Sequence, residues 1–151
     1  MPVSVRAMAE RDLDRAMEIA ASLETAPQWP RAAYEAAIAA EGMPRRIALV
    51  AEIDGEIAGF AVASRVGAVA ELESIAVVAG WQGRGIGRTL LDWVIAGLRM
   101  AGVTELELGV RESNQAAAKL YRRAGFFEAG RRRGYYRDPV EDAVLLRRLL
   151  A

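Results

Sequence analysis

The stretch that most constrains this chain is Trp81-Gln82-Gly83-Arg84-Gly85-Ile86-Gly87-Arg88-Thr89. A strand-like apolar run, Leu72 to Val78, leads into it, and a helical run, Leu90 to Ala101, leads out. Glycines at alternate positions leave backbone N–H groups uncovered by side chains. A helix N-terminus that follows such a loop adds free N–H donors and a partial positive charge. The segment therefore reads as an anion cradle between a strand and a helix. The dinucleotide fingerprint G-x-G-x-x-G does not fit glycines at 83, 85 and 87, and no lysine follows them as the mononucleotide P-loop requires. What remains is Gln82-x-x-Gly85-x-Gly87, with a bare glycine-rich turn as the alternative.

Composition limits the chemistry around such a cradle. With 151 residues, a single domain is expected over 1–151. Lys plus Arg and Asp plus Glu balance at 20 each, which argues against a dedicated nucleic-acid binder. The chain has no cysteine and no histidine. That excludes a thiolate nucleophile, zinc–sulfur sites, the serine triad and the commonest general base. Acid–base work falls to Glu, Asp, Tyr, Lys, the N-terminus or water. No run approaches the roughly 20 apolar residues of a membrane span, and the first residues do not form a signal peptide. A cytoplasmic protein with no membrane or nucleic-acid partner and no metal is expected.

Hydrophobic periodicity then orders the elements. Val3 to Ala7 alternates as a short strand. Glu10 to Leu23 is a helix with Leu13, Met17 and Ala20/Ala21 on its apolar face and Asp12 off it. Two prolines break the pattern at Pro27 and Pro30, and Arg31 to Glu41 is a second helix. Trp29 between them either packs the two helices together or walls a substrate site. Ile47–Ala51, Ile57–Ser64 and Ala68–Val78 form a meander whose first hairpin turns at Asp54-Gly55. The helix after the glycine loop presents Leu90, Leu91, Val94, Leu98 and Ala101 and stops at Gly102. Thr104–Val110 is a strand, and Ser113 or Asn114 caps a helix to about Arg123. A strand from Phe126-Phe127, a loop over 134–139 and a strand Asp142–Leu149 complete the chain. The order β-α-α-β-β-β-α-β-α-β-β predicts one mixed α/β sheet covered by helices.

On the helix after Ser113, Asn114 and Tyr121 share a face two turns apart, about 10.5 Å along the axis. Ala117 and Ala118 flank that line, so an extended ligand has room between an amide and a phenol. Ala116, Leu120 and Ala124 read as the core side, and Gln115, Lys119 and Arg122 as the solvated side. A simple N-cap and a surface-anchored aromatic are the alternative.

Together, Gln82-x-x-Gly85-x-Gly87 and Asn114-x-x-Ala117-x-x-x-Tyr121-x-x-x-Gly125-Phe126 resemble the GNAT superfamily of acetyl-CoA-dependent N-acetyltransferases, over essentially the whole chain. Val110-Arg111-Glu112-Ser113-Asn114 and Arg132-x-Gly134-Tyr135-Tyr136 ahead of Glu141-Asp142-Ala143 look like the bacterial ribosomal-protein-alanine N-acetyltransferase group, and the Trp29-Pro30 segment fits it too.

The resemblance implies a GNAT-like acyl-CoA N-acyltransferase fold. It implies that the N–H groups from Gln82 through Gly83, Arg84, Gly85, Ile86, Gly87, Arg88 and Thr89 hold the pyrophosphate of coenzyme A. Ile75, Ala76 and Val77 would pair with the pantetheine arm like an added strand. Asn114 would bind that arm beside Ala117, and Tyr121 would protonate the departing thiolate. Transfer would be direct, in a ternary complex, with an acceptor that is a protein N-terminal α-amine or a small amine. A coenzyme A-binding module without catalysis is the reading from another class, and the protein is expected as a monomer or homodimer.

The attacking amine must be neutral. An α-amine with pKa near 8 needs about 1.4 kcal/mol to deprotonate at pH 7, and a lysine near 10.4 about 4.6 kcal/mol. The alanine-acetylating group carries its glutamate base two residues before the arginine of V-R-x-S-N, and that position is Gly109 here. The base is then expected from Glu107, Glu71 or Glu73, through water; Glu71 falls where histone-type members carry theirs. Tyr135 and Tyr136, expected on a loop, line the acceptor channel or pack over the sheet edge. The cluster Arg122, Arg123, Arg131, Arg132, Arg133 and Arg137 is either a solvated face or an attractor for the 3′-phosphate or an acidic peptide.

Overall fold

The computed structural model describes residues 2–150. Its elements run in the expected order: β1 (Ser4–Ala7), α1 (Leu13–Ala21), α2 (Arg31–Ile38), β2 (Arg45–Ile53), β3 (Glu56–Val66), β4 (Val69–Val77), α3 (Ile86–Met100), β5 (Glu105–Arg111), α4 (Gln115–Arg123), β6 (Phe127–Tyr136) and β7 (Glu141–Leu149). The strands form one seven-stranded sheet in the order β1-β2-β3-β4-β5-β7-β6. No described helix is long and apolar enough to cross a membrane.

Each face of the sheet buries its own layer. On one side Leu13, Ala16, Ile19 and Ala20 of α1 and Tyr34 and Ala37 of α2 pack on Val50, Phe60, Val62 and Ala76. On the other, Ile86, Leu90, Leu91, Val94, Ile95 and Leu98 of α3 pack on Ala51, Ala61, Leu106 and Leu108. Full burial of such an aliphatic side chain is worth about 1.5–3 kcal/mol, so α3 anchors the glycine loop that precedes it. The Asp54-Gly55 turn has positive φ at both residues, 53° and 79°, as the tight hairpin demands.

The feature that shapes the site is where strands part. β4 and β5 are the parallel pair of the sheet, and they pair over Val69–Glu71 and Glu105–Glu107 alone. Beyond Glu71 the two diverge: β4 continues against β3, and β5 against β7. A bulge sits at the parting point. Val62 faces Ser74 while the next residue, Ala63, faces Leu72, so Glu73 is the extra residue on β4. A bulge bends its strand and exchanges the faces. Leu72 points into the α3 layer, and after the bulge Ile75 and Val77 take over that side while Ala76 joins the α1–α2 layer.

Several sequence expectations are corrected. Gly134 to Tyr136 are not loop: β6 runs ten residues and ends at Tyr136, because its backbone pairs with β7 as far as Tyr136 opposite Glu141. The apolar face of α1 is turned from the expected one; Ala16 and Ile19 are buried with Leu13 and Ala20, Ala21 is exposed, and a 3₁₀ turn over Glu10–Asp12 replaces the first helical turn. Asp12 is buried, since its carboxylate takes the Arg6 guanidinium at 2.7 and 2.9 Å and the Ala9 N–H at 2.8 Å. Ala101 is exposed past the end of α3. On α4, Ala116 faces solvent and Tyr121 is a core residue, packed edge-on against Phe126 at 5.5 Å.

The Asp12 cluster predicts a pH signature. Hydrogen bonds from Arg6 hold the Asp12 carboxyl below its usual range, ahead of the opposing effect of burial. Its contribution is present above the ordinary carboxyl value of about 3.9 and is lost as pH falls through the lower folded value. Asp12→Asn should cost about 1–3 kcal/mol in urea unfolding at neutral pH. The gap to wild type should close as acid protonates Asp12; a gap that persists unchanged would contradict the assignment.

Candidate active site

The parting of β4 and β5 opens two clefts that meet. The first, of about 710 Å³, runs from the glycine loop along β4 to α4. Its walls include Ile75, Ala76 and Val77 on the β4 edge that β5 has left, and Asn114, Ala117 and Tyr121 on α4. From the loop, Gln82, Gly83, Gly85, Ile86, Gly87 and Arg88 border it. Arg84 and Thr89 stand off the wall. The Arg84 guanidinium lies 5.1 Å over the Trp81 ring, and the Thr89 hydroxyl donates to the Gly85 carbonyl at 2.9 Å.

The loop geometry suits an anion. Gly85 is the N-cap of α3 in the left-handed region, φ 82°, where a side chain is strained. The first backbone N–H with a helical acceptor is that of Thr89, to Gly85 at 3.0 Å, so the donors of Ile86, Gly87 and Arg88 open toward the loop. Arg88, Lys119 and Arg123 border the same cleft and give it a cationic rim. At the far wall Asn114 caps α4: its side-chain oxygen accepts from the Ala117 N–H at 3.2 Å. Burial, with a smaller effect of Tyr136, pushes the Tyr121 phenol well above its ordinary value, so it holds its proton.

The second cleft, of about 550 Å³, lies on the α1–α2 side. It brings together every residue expected for the acceptor and its base: Trp29, Tyr135, Tyr136, Glu71, Glu73 and Glu107. The carboxylates differ in company. Glu73 takes the Arg46 Nε at 2.9 Å, and Glu107 takes Arg147 at 2.6 Å. Glu71 lies beside Glu107 in the parallel register and has no ion-pair partner among the described residues. Burial raises its pKa most; Glu73 and Glu107 raise it further against the lowering pull of Arg132. A carboxyl that is part-buried beside like charges takes up a proton more readily than an ordinary glutamate.

Tyr136, Gly109, Arg111, Leu72 and Glu73 border both clefts and mark the passage between them. A Cβ placed on Gly109 would sit 3.7 Å from the Tyr136 hydroxyl and from Leu145, an ordinary contact, so the backbone does not demand glycine there. Tyr136 is held by the Arg111 guanidinium, 4.6 Å from its ring centroid, which also donates to the Arg137 carbonyl at 2.8 Å. Tyr135 meets Tyr136 edge-on at 5.1 Å. Of the arginine cluster, Arg131 pairs with Glu112 at 2.8 Å, Arg132 borders the second cleft, and Arg123 borders the first. Among the described residues no group of three or more His, Cys, Asp or Glu side chains is placed to hold a metal ion.

Some site residues left little trace in the sequence. Leu23, Thr25 and Pro27, between α1 and α2, border the first cleft although the pattern there shows only a break. Lys119, assigned to the solvated side of α4, stands at its rim. Arg46 and Arg147 become site residues only through the sheet order, which the helical and strand periods do not reveal.

A family model described as Acetyltransferase (GNAT) family matches residues 13–126. This chain belongs to that family, and it is an N-acetyltransferase. It is 38% identical to the N-alpha-acetyltransferase RimI of Mycobacterium tuberculosis over 97% of this chain and 92% of that protein. It is also 44% identical to the ribosomal protein bS18-alanine N-acetyltransferase of Escherichia coli, over 62% of this chain and 64% of that one. A crystal structure of the ribosomal-protein-S18-alanine N-acetyltransferase from Escherichia coli superposes with a TM-score of 0.86 at 32% identity, covering 99% of this chain and 95% of that one. Ard1 from Thermoplasma volcanium, at 22% identity and a TM-score of 0.88, shares the fold.

Members of this family use acetyl-CoA, and the loop should be where it matters. Gly85→Val should weaken acetyl-CoA binding by about tenfold or more, a loss of about 1.4 kcal/mol or more, measured by calorimetry. The protein should remain folded by circular dichroism. Unchanged affinity would rule out the cradle.

Proposed function

We propose that this enzyme acetylates protein N-terminal α-amines, by direct transfer from acetyl-CoA within a ternary complex. The observation that carries the reading is the meeting of the two clefts at the β4–β5 gap, with Glu71 bordering one and Tyr121 the other. The names of the relatives support an N-terminal acceptor. So does energetics: an α-amine needs about 3 kcal/mol less deprotonation than a lysine at pH 7, within reach of one carboxylate with a modestly raised pKa.

Bound acetyl-CoA supplies an acetyl thioester. The donors of Gly83, Gly85, Ile86, Gly87 and Arg88 would hold its pyrophosphate, with Arg88, Lys119 and Arg123 nearby for further phosphate. The free edge of β4 at Ile75, Ala76 and Val77 hydrogen-bonds the pantetheine arm as an added strand would, and Asn114 and Ala117 face it from α4. Trp29, Tyr135 and Tyr136 wall the acceptor. Glu71 takes the amine proton, directly or through water. Tyr121 keeps its own proton and offers it to the departing sulfur. Its raised pKa makes complete transfer uphill toward a thiol near 8.5, so Tyr121 acts as a hydrogen-bond donor that strengthens as negative charge builds on sulfur.

Glu71→Gln should lower kcat by about 10²–10³ with acetyl-CoA affinity unchanged, and should remove the acid limb of the kcat–pH profile. That limb should lie above the ordinary glutamate range, because the base form is lost only below a raised pKa. A Glu71→Gln enzyme with wild-type kcat would overturn the base; wild-type inactivity toward peptide α-amines would overturn the acceptor.

A further inference from the structure

Helices α1 and α2 pack on β2, β3 and β4. Among the described residues, none from β5, β7 or β6 joins the apolar layer beneath them. Those three strands therefore turn an uncovered face to the same side. Leu106, Leu108, Val144, Leu146 and Phe126 belong to the α3 layer, so Glu105, Glu107, Leu145, Arg147, Leu149 and Phe127 point the other way. The register sets them in rows. Val69, Glu105 and Leu149 lie side by side, and so do Glu71, Glu107, Arg147 and Phe127. Phe127 is 47% exposed, Leu149 60% and Val69 47%. Large apolar side chains grouped on one open face mark a contact surface.

Position and charge decide what covers it. Glu71, Glu107 and Leu145 border the second cleft, so the face begins where that cleft ends. Along the two rows, the carboxylates of Glu71, Glu105 and Glu107 stand against the guanidinium of Arg147, which pairs with Glu107 at 2.6 Å and Glu105 at 3.6 Å. A second copy laid face to face here would oppose that acidic excess with its own and would shut the second cleft. A chain that leaves the cleft meets neither obstacle. Phe127 lies three strands from Glu71. At about 4.8 Å per strand and about 3.3 Å per extended residue, about four residues span that distance.

We infer that the open face of β5, β7 and β6 seats the acceptor's chain beyond its first residues, with an apolar side chain over Phe127 and Leu149 and no acidic residue beside it. With the terminal amine at Glu71, that apolar side chain falls at about the fifth position. The inference rests on the proposed function above for the placement of the acceptor terminus.

Acceptor peptides that share their first three residues test it. With wild type, an octapeptide carrying leucine at the fifth position should have a KM about tenfold below that of the tripeptide. Serine at that position should remove most of the gain. The double variant Phe127→Thr/Leu149→Thr keeps β-favouring residues on an exposed face. It should lose the gain, with kcat and KM for the tripeptide and the melting temperature near wild type. Fluorescence anisotropy of the labelled leucine octapeptide on coenzyme A-loaded enzyme reads the face without turnover. Wild type should bind it about tenfold tighter than the double variant. Equal KM for tripeptide and octapeptide, or equal binding by wild type and variant, would overturn the inference. So would a wild-type dimer in sedimentation that the double variant abolishes. If wild type acetylates no peptide, the acceptor reading fails, while the anisotropy still decides the face.

Discussion

The site depends on a broken pairing. β4 and β5 share a few residues of parallel ladder and then separate at the Glu73 bulge. A continuous sheet would satisfy those backbone groups internally. Separation leaves an unpaired edge of β4 along the first cleft, and it makes a passage through the sheet from the α3–α4 side to the α1–α2 side. The passage is affordable because both strands stay anchored elsewhere, β4 to β3 and β5 to β7, over apolar layers on both faces. The glycine loop lies at the end of the β4 edge, where α3 begins.

Electrostatics divide the labour between the two sides. The donor side gathers backbone N–H groups and cations, suited to phosphates. The acceptor side gathers three carboxylates, two of them engaged by Arg46 and Arg147. Burial, with the carboxylates of Glu73 and Glu107 beside it, raises the Glu71 pKa. Gly109, which borders both clefts, contributes no side chain, so the proposed mechanism takes its proton acceptor from the neighbouring strand.

Much of this was legible in the chain before any coordinates. The spacing of Gly83, Gly85 and Gly87 pointed to a loop before α3, Asp54-Gly55 to a hairpin, and of the two cap candidates Ser113 and Asn114 it is Asn114 that caps α4. The misreadings have physical causes. Gly134-Tyr135-Tyr136 looked like a loop because glycine and arginines obscure alternation, yet pairing with β7 holds it in a strand. Asp12 looked exposed because a carboxylate is normally solvated; Arg6, on another element, buries it. The bulge at Glu73 left no signal, since neither propensity nor period reports one. The acceptor cleft was legible residue by residue, but the ion pairs that single out Glu71 come from strands distant in sequence.

The central claim is that one gap brings donor and acceptor together, so that the acetyl group never rests on the protein. A chain with no cysteine leaves no thiol to carry it. Steady-state rates measured over a grid of acetyl-CoA and peptide concentrations test this most directly. Double-reciprocal lines that intersect are predicted, with no acetylated enzyme in the mass spectrum when the peptide is omitted. Parallel lines with an acetylated enzyme would contradict the account.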